Sequence, residues 1–345
     1  MVAPQLHFVG LYPIDITQET SQKVDVPKTA SVADYTQDLI NTLLKDETNR
    51  LFKFGTSGGM REAVSALASG DYLESPQIIA NNLLKIEKDT QEQYKKITTL
   101  LKGSLLQACF TTNKQKYVLI TKVDHHAFLD EADLTKRVGM PYQEDVLRVL
   151  KGCLVAIARD GKFDRATVYD TNLRIAEYWW KDFLQLEEER SNEHNTSRSF
   201  AALDQLLATR VKPKSPGDYT FLRNDVISYY RTHKSIRHKR LVNNVLGNYT
   251  PSVPEIDADD LKARAGKLPE QKNFDQHFQV QETVNEAKYK NVIELTPNLQ
   301  LIMKGGIPNL DTVVEPFDEG GVKGIKIITQ QGWEHFNRTV ATSSK

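Results

Sequence analysis

Cysteine is scarce in this chain. Only Cys109 and Cys153 occur in 345 residues, which argues against a secreted disulfide framework and for a reducing cytosol. Net charge is absent too: 45 Lys and Arg balance 45 Asp and Glu, which excludes a histone-like protein whose entire surface is basic. No run approaches the ~18 apolar residues of a membrane span. The opening MVAPQLHFVG lacks a basic region followed by a long apolar stretch, so no signal peptide is expected either. The sharpest absence is local. Between Val226 and Pro254 there is no Asp or Glu at all.

What fills that acid-free stretch is positive charge. Its densest part is YYRTHKSIRHKR, Tyr229 to Arg240, with Arg231, Lys234, Arg237, Lys239, Arg240 and two histidines. The pattern predicts a helix from Ile236 to Leu246 with Gly247 beyond its end. Leu241, Val242, Val245 and Leu246 fall on one arc, while Arg237, Lys239, Arg240, Asn243 and Asn244 fall mostly on the other. A preceding helix, Tyr219 to Tyr230, carries Leu222, Val226, Tyr229 and Tyr230 at helical spacing. The two are expected to meet at RTHKS, capped by Ser235, as a helix-turn-helix. Cations on an exposed helix face neutralise phosphates and release counterions, and Asn243 and Asn244 can reach sugars or base edges. His233 and His238 can become charged beside a polyanion. The bland alternative is a solvated face, but such faces usually intersperse both signs.

Along the chain, QLHFVGLYPI reads as a strand and SVADYTQDLINTLLKD as a helix capped by Ser31. Pro76 to about Leu101 reads as a second helix. LLQACF and YVLITKV flank the polar turn TTNKQK as a hairpin. CLVAIA and ATVYD flank Asp160-Gly161 as another, since both turn residues tolerate positive φ. NLRIAEYWWKDFLQLEEER predicts a helix with Leu173, Ala176, Trp180, Phe183 and Leu184 inward. Residues 191–280 read as a helical region carrying the basic helix. NVIELTP, LQLIMKG, VVEPFDE and VKGIKIIT read as four short strands. The expected architecture is α+β in three parts: a mixed domain with an antiparallel sheet over 1–190, the helical 191–280, and a small β-rich module over 281–345.

Other candidate sites carry bland readings. Asp124, His125, His126, Asp130, Glu131 and Asp133 resemble a metal cluster in composition, but adjacent histidines on a strand face opposite ways and the spacing fits no zinc pattern. Asp160, Asp164, Asp170 and Glu177, with Lys162, are the residues a Mg²⁺-dependent nuclease would use. The hairpin already accounts for Asp160. FGTSGGM lacks the Lys of a phosphate-binding P-loop, and both cysteines sit in apolar strand patterns where inert thiols are usual.

Three segments resemble the bacterial nucleoid-associated protein family of the NdpA type: FLDEADLTKRVGM, AEYWWKDFLQ and NVIELTPNLQLIMKGGIPNLDTVV. The similarity spans roughly residues 100 to 330 and is weaker toward the N-terminus. It implies a cytoplasmic, chromosome-associated protein that binds DNA, without known chemistry and without a residue-level site to carry over. The resulting expectation is a nucleoid-associated, non-enzymatic binder of double-stranded DNA, needing no cofactor or metal. Its interface would be Arg231, Lys234, Arg237, Lys239, Arg240, Asn243 and Asn244. The rivals are an interaction or DNA-sensing component of a phage-defence or chromosome-maintenance complex, and a metal-dependent nuclease.

Overall fold

The computed structural model describes residues 3–24, 30–45, 50–56, 58–94, 103–124, 126–129, 136–139, 149–172 and 174–337. The fold is α+β, with an antiparallel sheet, several helices and small separate hairpins. Its two compact units are discontinuous in sequence, where three consecutive segments are expected. One contains Met1–Asn195, Ser235–Lys239 and Asn273–Gln279; the other contains Thr196–Lys234, Arg240–Lys272 and Val280–Lys345.

The first unit is built on seven strands: β1 (Gln5–Ile14), β2 (Arg50–Phe54), β3 (Gly103–Thr112), β4 (Gln115–Asp124), β7 (Val149–Ile157), β8 (Phe163–Asp170) and β9 (Leu186–Glu188). Between β4 and β7 in the chain lies a separate hairpin, β5 (His126–Leu129) with β6 (Lys136–Gly139). The seven strands run in the order β1-β3-β4-β7-β8-β2-β9, antiparallel throughout. Helices α1 (Ala30–Lys45), α2 (Gly59–Ser69) and α3 (Glu74–Tyr94) complete the unit. A further pair of short strands, β10 (Ser235–Arg237) and β11 (His277–Gln279), also belongs to it.

Alternation along the strands explains why the sheet is buried on both faces. Leu105, Cys109, Val118, Ile120, Cys153 and Val155 pack with Val64, Leu67, Ile79 and Leu83 of α2 and α3. The intervening Leu106, Ala108, Phe110, Leu119 and Leu154 pack with Tyr35, Leu39, Ile40 and Leu43 of α1. Two hairpins form where the sequence predicts them. Asn113 and Lys114 close β3–β4 with φ of 50° and 64°, and Gly161 closes β7–β8 with φ of 80°. Helix α3 starts before Pro76 because Asp71 caps it, its carboxylate accepting the N–H groups of Leu73, Glu74 and Ser75. Ser31 lies inside α1 rather than at its cap.

The segment expected as one helix over residues 172–190 is not one. It contains a six-residue π-helix, Tyr178–Phe183, followed by edge strand β9 on β2. Gln185, at φ 53°, separates the two, and pairing with β2 overrides the helical periodicity. The wider turn also changes which tryptophan is buried. Trp179 is 0% exposed and donates its indole N–H to the Gly152 carbonyl at 3.4 Å, whereas Trp180 is half-buried against Phe52.

Charge is buried in this unit as well. Lys122 and Glu87 are each 2% exposed and form an ion pair at 2.6 Å. Lys151, directly across from Lys122 on the sheet, pairs with the fully buried Asp170 at 2.6 Å. Elsewhere Asp275 accepts from Arg190 at 2.7 Å and from Asn195 at 2.9 Å.

The second unit takes most of α4 (Asn192–Arg210) and of α6 (His238–Leu246), with α5 (Pro216–Thr232), α7 (Ala258–Gly266) and α8 (Leu268–Lys272). Ser215 caps α5 by accepting the Asp218 N–H, with Pro216 at the first turn. Phe200 meets Tyr230 and Tyr289 edge-on at 5.5 and 5.1 Å, and the Tyr230 and Ser199 hydroxyls lie 2.6 Å apart. The four C-terminal strands form two separate hairpins, β12 (Asn291–Thr296) with β13 (Leu299–Met303) and β14 (Val314–Glu319) with β15 (Val322–Ile327). The one-turn helix α9 (Leu310–Val313) precedes β14, and α10 (Gln330–Phe336) follows β15. No helix among the described residues is long and apolar enough to cross a membrane.

Candidate nucleic-acid interface

Helix α6 divides its residues as its periodicity requires. Leu241, Val242, Val245 and Leu246 are buried, while Lys239, Arg240, Asn243 and Asn244 are exposed. The helix stops at Gly247, whose N–H bonds to the Asn243 carbonyl at 2.9 Å; a Cβ there would strike that carbonyl. On α5 the expected stripe is buried too, with Leu222, Val226, Tyr229 and Tyr230 all inward.

The connection between α5 and α6 differs from the expected tight turn. Ser235, Ile236 and Arg237 are strand β10, paired with β11, and α6 begins only at His238. Ser235 therefore does not cap α6, and no helix-turn-helix forms. Pairing with the sequence-distant β11 wins over local helical periodicity, since it leaves Ile236 wholly buried opposite Phe278, whereas a helix would place it on the basic arc.

That change alters the roles of several expected contact residues. Arg237 lies in β10, half-buried, and donates to the Asn172 carbonyl at 3.3 Å. Its main role is structural. Arg231 donates to the Lys304 carbonyl at 3.3 Å, with its guanidinium against Gly305. Lys234 is exposed. His238 is 1% exposed and meets Phe274 edge-on at 5.3 Å, so it cannot face a polyanion. His233 stacks on Tyr229 with ring centres 3.9 Å apart. Of the expected contact residues, Arg231, Lys234, Lys239, Arg240, Asn243 and Asn244 are exposed, and only Arg237 is not.

Three of the four carboxylates of the nuclease alternative have partners of their own. Asp170 is held by Lys151 and also accepts the Ala176 N–H at 3.0 Å. Asp160 closes its own turn by accepting the Lys162 N–H at 3.0 Å, and Glu177 pairs with Arg174. The side chain of Asp164 lies outside the described residues. Among the described residues no group of three His, Cys, Asp or Glu side chains is placed to hold a metal. His125, Asp130, Glu131 and Asp133 lie outside them, as do the side chains of Asp124 and His126. Both cysteines are buried, and burial pushes the Cys109 thiol up to about 12, far from the reactive range.

Sequence reasoning missed a second gathering of cations, Arg210, Arg264, Lys267 and Lys272, which α4, α7 and α8 place around one groove. Acids interrupt them in the chain, so no basic run marks them. Compared with models of protein families and with curated proteins, the chain matches none.

Proposed function

We propose that this protein binds double-stranded DNA through the exposed face of α6, by phosphate contacts, with little sequence preference and no catalysis. The observation that carries the reading is the division of α6: its outward residues are two cations and two amides, and no acid interrupts the chain from Val226 to Pro254. Lys239 and Arg240 are suited to phosphate oxygens, and Asn243 and Asn244, one turn on, to sugar or groove-edge atoms. The resemblance of three segments to nucleoid-associated proteins supports the same reading, with the nucleoid as the proposed location. Titration against duplex DNA tests the reading. Micromolar affinity at physiological salt is expected, with log K falling against log salt at a slope of about −3, one phosphate for each of Lys234, Lys239 and Arg240. A slope near zero, or Mg²⁺-dependent cleavage, would overturn it.

A second reading, self-association, is favoured by the C-terminal hairpins. Two-stranded hairpins are marginal alone in water, yet Val292, Leu299, Ile302, Val322 and Ile328 are 48–65% exposed, and Trp333 and Phe336 are 61% and 87% exposed. Helix α10 buries none of its residues. A second copy of this chain would cover such side chains. Sedimentation over a range of concentrations should show a dimer that Trp333→Glu with Phe336→Glu converts to monomer. A concentration-independent monomer would exclude this reading.

A further inference from the structure

The groove bounded by α4, α7 and α8 encloses about 410 Å³, within the few hundred Å³ of small-ligand sites. Leu206 and Leu268 contribute apolar lining, and Arg210, Arg264, Lys267 and Lys272 contribute cations. Among the lining residues the only carboxylate is Asp260, and it is already bound to Arg264 at 2.6 Å. The charge in the lining therefore remains well in excess on the positive side. Two further features sharpen the chemistry. Lys272 Nζ donates to the Gln205 amide oxygen at 3.3 Å, which orients the amide so that its acceptor is used within the lining. Arg210 and Lys214 both act on Asp260, whose carboxyl is held below its ordinary range, first by the hydrogen bond from Arg264 and then by these neighbouring charges. Arg264 thus bonds the one carboxylate, with Arg210, Lys267 and Lys272 in the same lining. A lining rich in donors and poor in unused acceptors selects a ligand made of acceptors.

We propose that this groove binds a phosphate-bearing ligand of nucleotide size, with Arg210 and Lys267 as its principal anion contacts and the apolar lining of Leu206 and Leu268 for its uncharged part. The groove uses no residue of α6, so it stands apart from the duplex-binding reading and can hold or fail independently of it. Arg210 is in the last turn of α4, where a guanidinium also complements the helix dipole, so the position is favourable to the fold with or without ligand. Phosphate recognition by Arg is directional and multidentate, whereas Lys contributes a point charge. The presence of one of each in the lining suits a terminal phosphate flanked by a second.

Calorimetric titration of the full chain with ATP, pyrophosphate and adenosine tests the proposal. ATP and pyrophosphate should bind and adenosine should not, because the phosphates supply the recognition. Arg210→Glu with Lys267→Glu should weaken both anions by about tenfold or more. Lys239→Glu with Arg240→Glu, an equal change of net charge on α6, should leave them unchanged. Since all four side chains are exposed, both variants should fold, and circular dichroism checks this. Displacement of a fluorescent ATP analogue by a short duplex would identify nucleic acid as the source of the phosphate; retention would identify a free phosphorylated molecule. Absence of binding at millimolar ATP overturns the proposal, as do equal losses from both variant pairs, which would indicate a diffuse field.

Discussion

Asn224 on α5 holds the main chain of Ile307 at both ends: its Nδ2 donates to the Ile307 carbonyl at 2.9 Å, and its Oδ1 accepts the Ile307 N–H at 2.8 Å. This pairing explains the KGGIPN stretch that precedes β14. Gly306 lies so close to α5 that a Cβ would come within 2.6 Å of the Ser228 nitrogen, and a rigid backbone atom cannot move aside. Asn224→Ala should therefore cost about 1–3 kcal/mol by leaving two backbone groups without partners, and Gly306→Ala should destabilise through the clash. Hydrogen exchange should show faster opening of residues 304–310 in both variants. Unchanged protection would mean that the clamp does not hold this turn.

The buried pair of Lys122 and Glu87 predicts an asymmetric response to mutation. Glu87→Ala leaves an ammonium group with 2% exposure without its carboxylate partner, and loss of one partner from such a pair typically costs about 3–5 kcal/mol. Replacing both, as Glu87→Met with Lys122→Met, should recover most of that loss. Denaturant melts of the single and double variants measure the difference, and equal destabilisation by both would show that the pair itself contributes the stability.

Acid sensitivity should include a contribution from Asp71. Its carboxyl is held below the ordinary range first by the Ser75 hydroxyl and then by the backbone N–H groups of α3. A folded-state value below the unfolded one adds stability that is present above the ordinary carboxylate value of about 3.9 and is lost as pH falls through the folded value. Asp71→Asn should flatten the stability profile below about pH 4 relative to the unsubstituted chain. Parallel profiles for the two proteins would remove Asp71 from the acid transition.

The two sides of α6 should separate affinity from stability. Lys239→Glu with Arg240→Glu alters exposed residues, so the melting behaviour should change little, within about 0.5 kcal/mol. Duplex affinity should fall more than tenfold, and the salt slope should flatten by about 2. Arg237→Glu should behave oppositely and lower stability, because its side chain is half-buried at β10 and bonded to Asn172. If duplex affinity survives the Lys239 and Arg240 reversal, α6 is not the interface.

Truncation of the two adjacent tryptophans should report the π-helix directly. Trp179→Ala removes a fully buried indole and should cost about 3–5 kcal/mol. Trp180→Ala, at a half-buried position, should cost less. The reverse order of costs would indicate an ordinary helix with Trp180 facing the core.

Much of this protein was determined by the sequence itself. Period-two alternation and the turns at Asn113-Lys114 and Asp160-Gly161 specify the central hairpins, because local backbone preference and burial agree there. The apolar arcs of α5 and α6 likewise specify their buried sides. Tertiary structure decided the rest wherever a remote partner outweighed local periodicity. Pairing with β2 drew Leu186–Glu188 out of the expected helix, and pairing with β11 drew Ser235–Arg237 out of α6. Arg237 consequently left the candidate interface, and His238 was buried beside Phe274. The cationic groove was not legible for a related reason: Arg210 lies far along the chain from Arg264, Lys267 and Lys272, and acids such as Asp260 and Glu270 stand among these. Only the packing of three helices brings their charges to one place, and a charge pattern along a chain cannot record a distance through space.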